Sequence, residues 1–469
     1  MSQREHAVVI GGSLAGLCAA SALARHFRRV TVLERDALPE DARLRAGAPQ
    51  ARHVHVLLTR GRRELDALFP GFERSLLDAG AVELDFGMSF ASLRAHGWQR
   101  RKPFDITGLF QSRALLESVV RRLARTIANV ELRDGVEVLE LLSDAQPARR
   151  VRGVLVQPRN GSGAPERIDA DLVVDTSGRG SKIEDWLAKI GTPAPEEIVV
   201  DSDSAYATRW YRAPSADRLP RAWWWKGIWI DPELPDGRVA GVLSPVEDGR
   251  WIVTLGGIEG HYPPTDEQGF VDFLGRLRSP LIADAVKLAE PLTPVYGHRA
   301  MANRFRHFER WRARLDGFVA LGDAVCAFNP VYGQGMTAAA VCAQLLGDWV
   351  ADAGPGGTLD PRRYFKAQAR FLTEVWTLAT GADFRFPKTT GPRPRFAGLA
   401  NGYLDLLLLA SEEDQVVRVA MRDVIHLLDS PTAIFRPNVI GHVLKHALQR
   451  RRAAAAAVGT TAVPEMPPA

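Results

Sequence analysis

The residues best placed to do chemistry begin with a glycine-rich turn. Val8-Val9-Ile10-Gly11-Gly12-Ser13-Leu14-Ala15-Gly16 is followed by Glu34 and Arg35. A diphosphate at a strand end needs close backbone N–H donors and the positive end of a helix dipole. Gly11 allows the tight turn, and Gly16 lets the following helix pack close to the strand. Gly12, Ser13 and Ala15 complete the turn, with Ser13 standing where the usual pattern has its middle glycine. Glu34, at the end of a second apolar run, suits ribose hydroxyls. A second segment reads Leu321-Gly322-Asp323-Ala324, then Asn329-Pro330-Val331-Tyr332-Gly333-Gln334-Gly335-Met336. Asp323 follows a buried-strand pattern. Gly333-Gln334-Gly335 opens a helix, whose first N–H groups would stabilise negative charge as an oxyanion hole does.

The elements that must position these residues are legible in the hydrophobic pattern. Residues 7–36 read as strand, turn, helix and strand, the helix over 14–27 and buried parallel strands over 7–10 and 30–33. Residues 37–56 read as a long loop, 61–69 as an amphipathic helix and 80–104 as strands. A helix is predicted over 112–126, with Ser112 as its N-cap. Strands are predicted over 130–132, 136–139, 151–157 and 171–175, with a Gly-Ser-Gly hairpin turn at 161–163. Residues 195–300 alternate strands and turns and hold many aromatics, including Trp223, Trp225 and Trp229. They read as a mostly antiparallel sheet inserted into a nucleotide-binding fold. Residues 317–321 return to the parallel-strand pattern, and a long helix follows over 335–350. Residues 360–450 read as helical, interrupted by a proline-rich loop at 386–394. The tail after Arg452 is predicted to be disordered.

Composition sets outer bounds. A chain of 469 residues with 46% hydrophobic and 25% charged residues is expected to fold into two or three globular domains. The net charge of +5 is spread along the chain, which argues against a nucleic-acid partner. The dense basic run Arg450-Arg451-Arg452 reads as a solvated end rather than a membrane contact. Three cysteines, in apolar stretches, cannot build a disulfide framework. With no leader pattern and no apolar run long enough to span a bilayer, a cytoplasmic protein without a transmembrane segment is expected. His53 and His55 lack further ligands at metal-binding spacing, so no metal is expected.

The second segment resembles the Gly-Asp motif of the flavin-dependent aromatic hydroxylase superfamily. Gly-Asp, Pro and Gly-x-Gly occur in the family's order and spacing. The resemblance implies an α/β, Rossmann-like FAD-binding fold of the GR2 type. It further implies an inserted, mostly antiparallel substrate-binding sheet and a C-terminal helical segment. The FAD domain would comprise residues 1–70, 105–190 and 295–360. The substrate domain would comprise 71–104 and 191–294, followed by helices over 361–452 and the tail 453–469. Asp323 would hold the ribityl hydroxyls. The N–H groups of Gly333, Gln334, Gly335 and Met336 would face the pyrimidine side of the flavin. Arg113 matches the superfamily's arginine that reaches the cofactor, and Val136 a position beside the adenine.

One departure bears on the electron source. In single-component hydroxylases a third motif carries Asp-Gly, associated with both FAD and NAD(P)H. Here Asp175-Thr176-Ser177-Gly178-Arg179-Gly180-Ser181 places Ser177 at the aspartate's position. The stretch resembles two-component flavin halogenases and epoxidases, which implies NAD(P)H acting through a separate flavin reductase. Gly256-Gly257-Ile258-Glu259-Gly260 lacks the surroundings of a second nucleotide fold.

Further stretches resemble bacterial FAD-dependent epoxidases of polyether antibiotic biosynthesis and their unassigned relatives. They include Pro49-Gln50-Ala51-Arg52-His53-Val54-His55, Tyr206-Ala207-Thr208-Arg209 and Glu290-Pro291-Leu292-Thr293-Pro294-Val295. This resemblance implies a flavin C4a-hydroperoxide acting on a bulky, apolar small molecule. Arg45, His53, His55 and Pro330 are the candidate helping groups, and Trp223, Trp225 and Trp229 the candidate pocket wall. Gln334 stands where those epoxidases tend to carry histidine, and the C-terminal helices look more like unassigned monooxygenases. Epoxidation of an alkene and hydroxylation of an aromatic ring therefore both stay open. Three rivals share the fold. A halogenase would carry Trp-x-Trp-x-Ile-Pro, which Trp223-Trp224-Trp225-Lys226-Gly227-Ile228 does not supply. An isoprenoid-chain reductase would use hydride chemistry. A non-catalytic flavin-binding interaction protein would not require the Gly333-Gln334-Gly335 donor set.

Overall fold

The computed structural model describes residues 4–456 apart from 46, 95–96, 145–146, 148, 162, 234–235, 300 and 395–396. The chain starts as the apolar pattern requires. β1 (Arg4–Ile10) leads through the glycine turn into α1 (Leu14–Ala24) and back through β2 (Phe27–Leu33). The stretch expected as strands over 80–104 is mixed. Phe86–Ser89 forms one helical turn, capped by Asp85, before β3 (Phe90–Arg94). The Asp85 carboxylate accepts from the amides of Gly87 and Met88, which favours the turn over a continued strand.

α2 (Arg113–Arg125) begins where expected, with the Ser112 hydroxyl accepting from the Leu115 amide at 3.0 Å. β4 (Val130–Arg133) and β5 (Leu172–Asp175) follow. The middle of the chain supplies β6 (Ser204–Arg212), β7 (Gly227–Ile230), β8 (Val239–Val246) and β9 (Arg250–Ile258). α3 (Glu267–Leu274) and α4 (Leu281–Lys287) come next, then β10 (Phe318–Ala320).

Five parallel strands form one sheet in the order β10-β5-β1-β2-β4. Both faces are covered, so β1 and β5 are nearly continuous apolar runs with Ala7, Val8, Val9, Val173 and Val174 fully buried. α5 (Gly335–Asp352) and α6 (Pro361–Asp383) pack on this core. The second large sheet runs β6-β9-β8-β7-β3 and is antiparallel except for β7 beside β3. That parallel pairing joins segments remote in sequence, which local alternation cannot reveal. Short strands at Glu290–Pro291 and Tyr296–His298 extend the sheet at β6.

The sheet's two faces have different roles. Ile228, Ile230, Leu243, Val253 and Leu255 point to the side covered by α3 and α4, where they join Phe270, Leu274 and Ile282. The alternate residues point to the opposite side, toward residues 49–56.

Three more helices, α7 (Ala397–Ser411), α8 (Gln415–Ile425) and α9 (Pro437–Ala456), build their own apolar cluster. They fasten to the front of the molecule: Gln99 donates to Glu412, Lys102 to the Glu412 carbonyl, and Arg422 to the Phe104 carbonyl. α9 runs to Ala456, and the rest of the tail expected to be disordered, 457–469, lies outside the described residues. Among the described residues no helix is long and apolar enough to cross a membrane, and no group of side chains is arranged to hold a metal. Cys18, Cys326 and Cys342 are buried and unpaired.

Candidate functional site

The glycine turn is held by backbone geometry. Gly11 has φ +106°, and the Gly11 amide donates to the Leu33 carbonyl at 2.8 Å. A Cβ on Gly16 would lie 1.8 Å from the Gly11 carbonyl oxygen and 2.8 Å from Thr176 Oγ1. Only glycine fits that crossing of strand and helix. Ser13 is the N-cap of α1 but makes no capping bond, leaving the helix start to face the cleft. The Ser13 hydroxyl instead donates to Glu117 at 3.2 Å and accepts from Arg113 at 3.2 Å. Glu34, buried, accepts from the Gly12 and Asp36 amides at 2.8 and 3.0 Å.

A charged cluster lies beside this turn. Arg45 donates twice to Glu117 Oε1, at 3.0 and 2.8 Å, and lies 3.3 Å from Asp36 and 3.4 Å from Glu34. Arg113 sits one helical turn before Glu117 on the buried face of α2. Burial pushes Glu117 up, but Arg113 and Arg45 outweigh it and hold the carboxyl below its ordinary range. Burial works against the charge of Arg45 as well, and Glu117, Glu34 and Asp36 more than offset it. Glu117 is thus the hub between Ser13, Arg45 and Arg113. A sequence reading sees only an acid in an amphipathic helix; its i,i+4 spacing from Arg113 is the one signal available.

A cleft opens between the turn and the strand Val136–Ser143. Gly11, Ser13, Glu34, Arg35, Arg45 and Val136 line it. Apolar wall, acidic side chain and helix start sit in the arrangement an adenosine diphosphate requires.

The second segment meets the first. A Cβ on Gly322 would lie 3.0 Å from the Ala15 Cβ, and one on Gly335 3.7 Å from Asp323 Oδ1. Asp323 stands 3.9 Å from Arg179. Burial pushes the carboxyl of Asp323 above its ordinary range, opposed by Arg179, Arg113 and Arg304. Gly333 has φ +65° and closes a short turn, its amide donating to the Pro330 carbonyl at 3.0 Å. Pro330 itself is exposed. Gln334 begins α5 without a side-chain cap, and its buried Oε1 has no hydrogen-bond partner. Gln111, two residues before Arg113, is 1% exposed with neither amide atom partnered. Buried polar groups are rarely left so, and both suit a polar cofactor in contact with them. Gln111 carries no motif by which sequence alone would single it out. Met336 contributes its backbone to the helix start, while its side chain joins the core around α1 and α2.

His53 and His55 come together with the open face of the sheet, though not as a strand pair. Pro49–Arg52 is a 3-10 turn, and residues 54–58 make no ladder. His53 Nδ1 lies 2.8 Å from Thr208 Oγ1, which is 2.7 Å from Thr254 Oγ1. His55 Nδ1 donates to the His53 carbonyl at 3.0 Å. Burial, reinforced by His298, His55 and Arg52, pushes His53 down to about 3. Burial and Arg113 push His55 down to about 4. Both are neutral imidazoles at working pH.

The tryptophans divide between the two faces. Trp229 alternates with Ile228 and Ile230, so it faces the open side, where its indole donates to Asp231 at 2.6 Å and Arg94 covers its ring. Trp223 and Trp225 pack against each other with tilted rings, and Trp225 likewise against Trp251, in the cluster covered by α3 and α4. They are therefore on the other face from Trp229. They lie just before β7 begins, so strand alternation does not set their direction.

An acid-sensitive stability follows. His426, bonded to Thr59 at 2.9 Å and packed on Phe86, is also pushed down, to about 4, by burial first and Arg422 second. The unfolded chain takes up these protons near pH 6.5, whereas the folded chain does so only near pH 3–4. Stability from His53, His55 and His426 is therefore complete above pH 6.5 and declines as pH falls below it. The expected slope is about 1.4 kcal/mol per pH unit for each histidine. Urea melts between pH 7 and pH 5 check this, with His426→Gln expected to flatten the slope.

Comparison with known proteins agrees with the geometry. Residues 4–199 match the model of the FAD binding domain. The fold resembles that of the flavin-dependent brominase Bmp2, with TM-score 0.66 and 14% identity over 96% of this chain and 100% of the other. It also resembles p-nitrophenol 4-monooxygenase PnpA from Pseudomonas putida DLL-E4, with TM-score 0.63 and 19% identity over 91% and 98%. Fold, cleft and domain define an FAD-binding flavoprotein with the architecture of the flavin monooxygenases. Over 474 aligned residues, 95% of this chain and 94% of the relative, it is 33% identical to Protein Rv3254 of Mycobacterium tuberculosis (strain ATCC 25618 / H37Rv). The chain belongs to the family of that protein.

Proposed function

We propose that the protein is an FAD-dependent monooxygenase that places one oxygen atom of O2 on a bulky, apolar small molecule. The observation that carries this reading is the convergence of two turns. Ala15 of the Gly11–Gly16 turn meets Gly322, and Gly335 lies against the adjacent Asp323, with the buried Gln334 Oε1 unpartnered at the start of α5. FAD, when bound, supplies the reduction of O2 and the delivery of its oxygen.

The chain's own residues bind, orient and exclude water. Gly11, Gly12, Ser13, Ala15 and Gly16 take the diphosphate, with Arg113 and Arg45 as nearby positive charge. Glu34 and Arg35 flank the ribose, Val136 the adenine, and Asp323 the ribityl chain. The first N–H groups of α5 stabilise negative charge on the reduced ring. His53, buried, and His55, half-buried, are both neutral and offer hydrogen bonds without charge beside the ring. Trp229 belongs to the substrate wall, and the Pro330 carbonyl stands at the turn between them. An apolar, uncharged substrate suits this neutral surround. Alkene epoxidation is favoured by the stretches that resemble polyether epoxidases, and aromatic hydroxylation uses the same constellation.

Electrons come from NAD(P)H through a separate flavin reductase in this reading. Asp175 and Ser177 are engaged with each other: Ser177 Oγ and amide donate to Asp175 at 2.6 and 2.9 Å, and Ser181 at 2.6 Å. Mixing the FAD-loaded protein with NADPH without oxygen should leave the flavin oxidised until a reductase is added. Rapid bleaching by NADPH alone would show that no reductase is needed.

Halogenation is disfavoured by the missing Trp-x-Trp-x-Ile-Pro motif, and Lys226, next to buried Trp225, is exposed. The test is a panel of polyene and aromatic compounds given to the FAD-loaded protein with reductase and NADPH. Oxygenated product under air and none under argon is the expected result. Product under argon would indicate a reductase, and a strict need for halide a halogenase.

A further inference from the structure

A buried carboxylate from outside the cleft organises the turn that enters it. Asp383 is the last residue of α6 and is 1% exposed. Its Oδ1 accepts from the Tyr332 hydroxyl at 2.7 Å and from Asn329 Nδ2 at 3.1 Å. Its Oδ2 accepts from Asn303 Nδ2 at 2.5 Å. Ser202 bonds to the same carboxyl, and burial pushes it up while these four donors oppose the shift. Each asparagine uses its other end on the backbone of the turn. Asn303 Oδ1 accepts from the Asn329 amide at 2.7 Å, and Asn329 Oδ1 from the Val331 amide at 3.2 Å. The network therefore holds the turn by the side chains of Asn329 and Tyr332 and the amides of Asn329 and Val331, and Gly333 follows directly.

An ionised carboxylate only accepts, so it holds several donors in one arrangement. Burying it is costly, and fastening a helix end requires nothing so polar. The donors converge from Asn303, Asn329, Tyr332 and Ser202, yet two of the four belong to the turn before Gly333-Gln334-Gly335. We propose that Asp383 is a positioning residue for the flavin-facing turn, fixing Asn329 and Tyr332 so that the first N–H groups of α5 are aimed at the flavin ring. The inference rests on the FAD reading above. It makes the C-terminal helical region part of the cofactor site.

Asp383→Asn puts an amide donor among donors. The expected result is an FAD Kd raised about tenfold, as for loss of one charge-assisted hydrogen bond. The bound flavin's visible spectrum is expected to shift and its reduction potential to fall, because negative charge on the reduced ring is less well stabilised. The double variant Asp383→Asn with Asn329→Asp restores donor to acceptor across the 3.1 Å contact and is expected to recover all three. Tyr332→Phe, which removes one hydroxyl, keeps the test open should Asp383→Asn fail to fold, and is expected to shift spectrum and potential in the same direction. A lowered melting temperature with wild-type Kd, spectrum and potential in both single variants would overturn the proposal and leave a fastening role. Failure of the wild-type protein to bind FAD would instead refute the underlying reading.

Discussion

Gly16→Ala is expected to abolish useful FAD binding, raising Kd at least ~100-fold, about 2.7 kcal/mol or more. The added Cβ would lie 1.8 Å from the Gly11 carbonyl oxygen. Neither partner can give way. The Gly11 amide is tied to Leu33, and Thr176 is tied to Ile10 by its amide at 2.9 Å and its hydroxyl at 2.7 Å. The strands behind them are fully buried. The start of α1 must therefore move away from the turn, taking its N–H groups out of reach of the diphosphate. Fluorescence titration with FAD measures the effect directly. A near-normal Kd in a folded Gly16→Ala protein would mean that the cleft beside Gly11 does not hold the diphosphate.

Glu117→Ala is expected to cost about 3 kcal/mol of stability, the lower end for breaking a buried ion pair. Three groups depend on this carboxylate: Ser13, Arg45 and Arg113. Their losses differ. Arg45 keeps Asp36 at 3.3 Å and Glu34 at 3.4 Å, whereas Arg113 keeps the Ser13 hydroxyl at 3.2 Å as its nearest polar contact. The cost therefore falls mainly on Arg113, whose side chain is 8% exposed. Because the proposed FAD site puts a diphosphate at this corner, saturating FAD should raise the melting temperature of the variant more than that of the wild type. Urea unfolding with and without FAD checks both parts. A loss below ~1 kcal/mol would show that Arg113 finds solvent or another acid without rearranging the site.

Much of the fold was legible because it obeys local rules. The first βαβ unit, the Ser112 cap and the helix after Gly335 follow from apolar periodicity, turn chemistry and capping residues. The two glycine turns were legible for the same reason, since a tight backbone crossing leaves a mark in the sequence. Contacts between remote segments left no such mark. The parallel pairing of Gly227–Ile230 with Phe90–Arg94 is one example. The direction of Trp225 is another, because it precedes the strand whose alternation would have oriented it. The placement of Glu117 and Asp383 depends on helices arriving from other parts of the chain, and each reads locally as an ordinary helix carboxylate. Gln111 becomes conspicuous only when its amide is found buried without a partner.

In a monooxygenase, oxygen from O2 ends in the product. The measurement that tests it most directly is mass spectrometry of product formed under oxygen-18 gas in ordinary water, with a parallel reaction in oxygen-18 water under ordinary air. One heavy oxygen in the product from the gas and none from the water is the expected result. Label arriving from water alone, or a product that gains no oxygen, would contradict it.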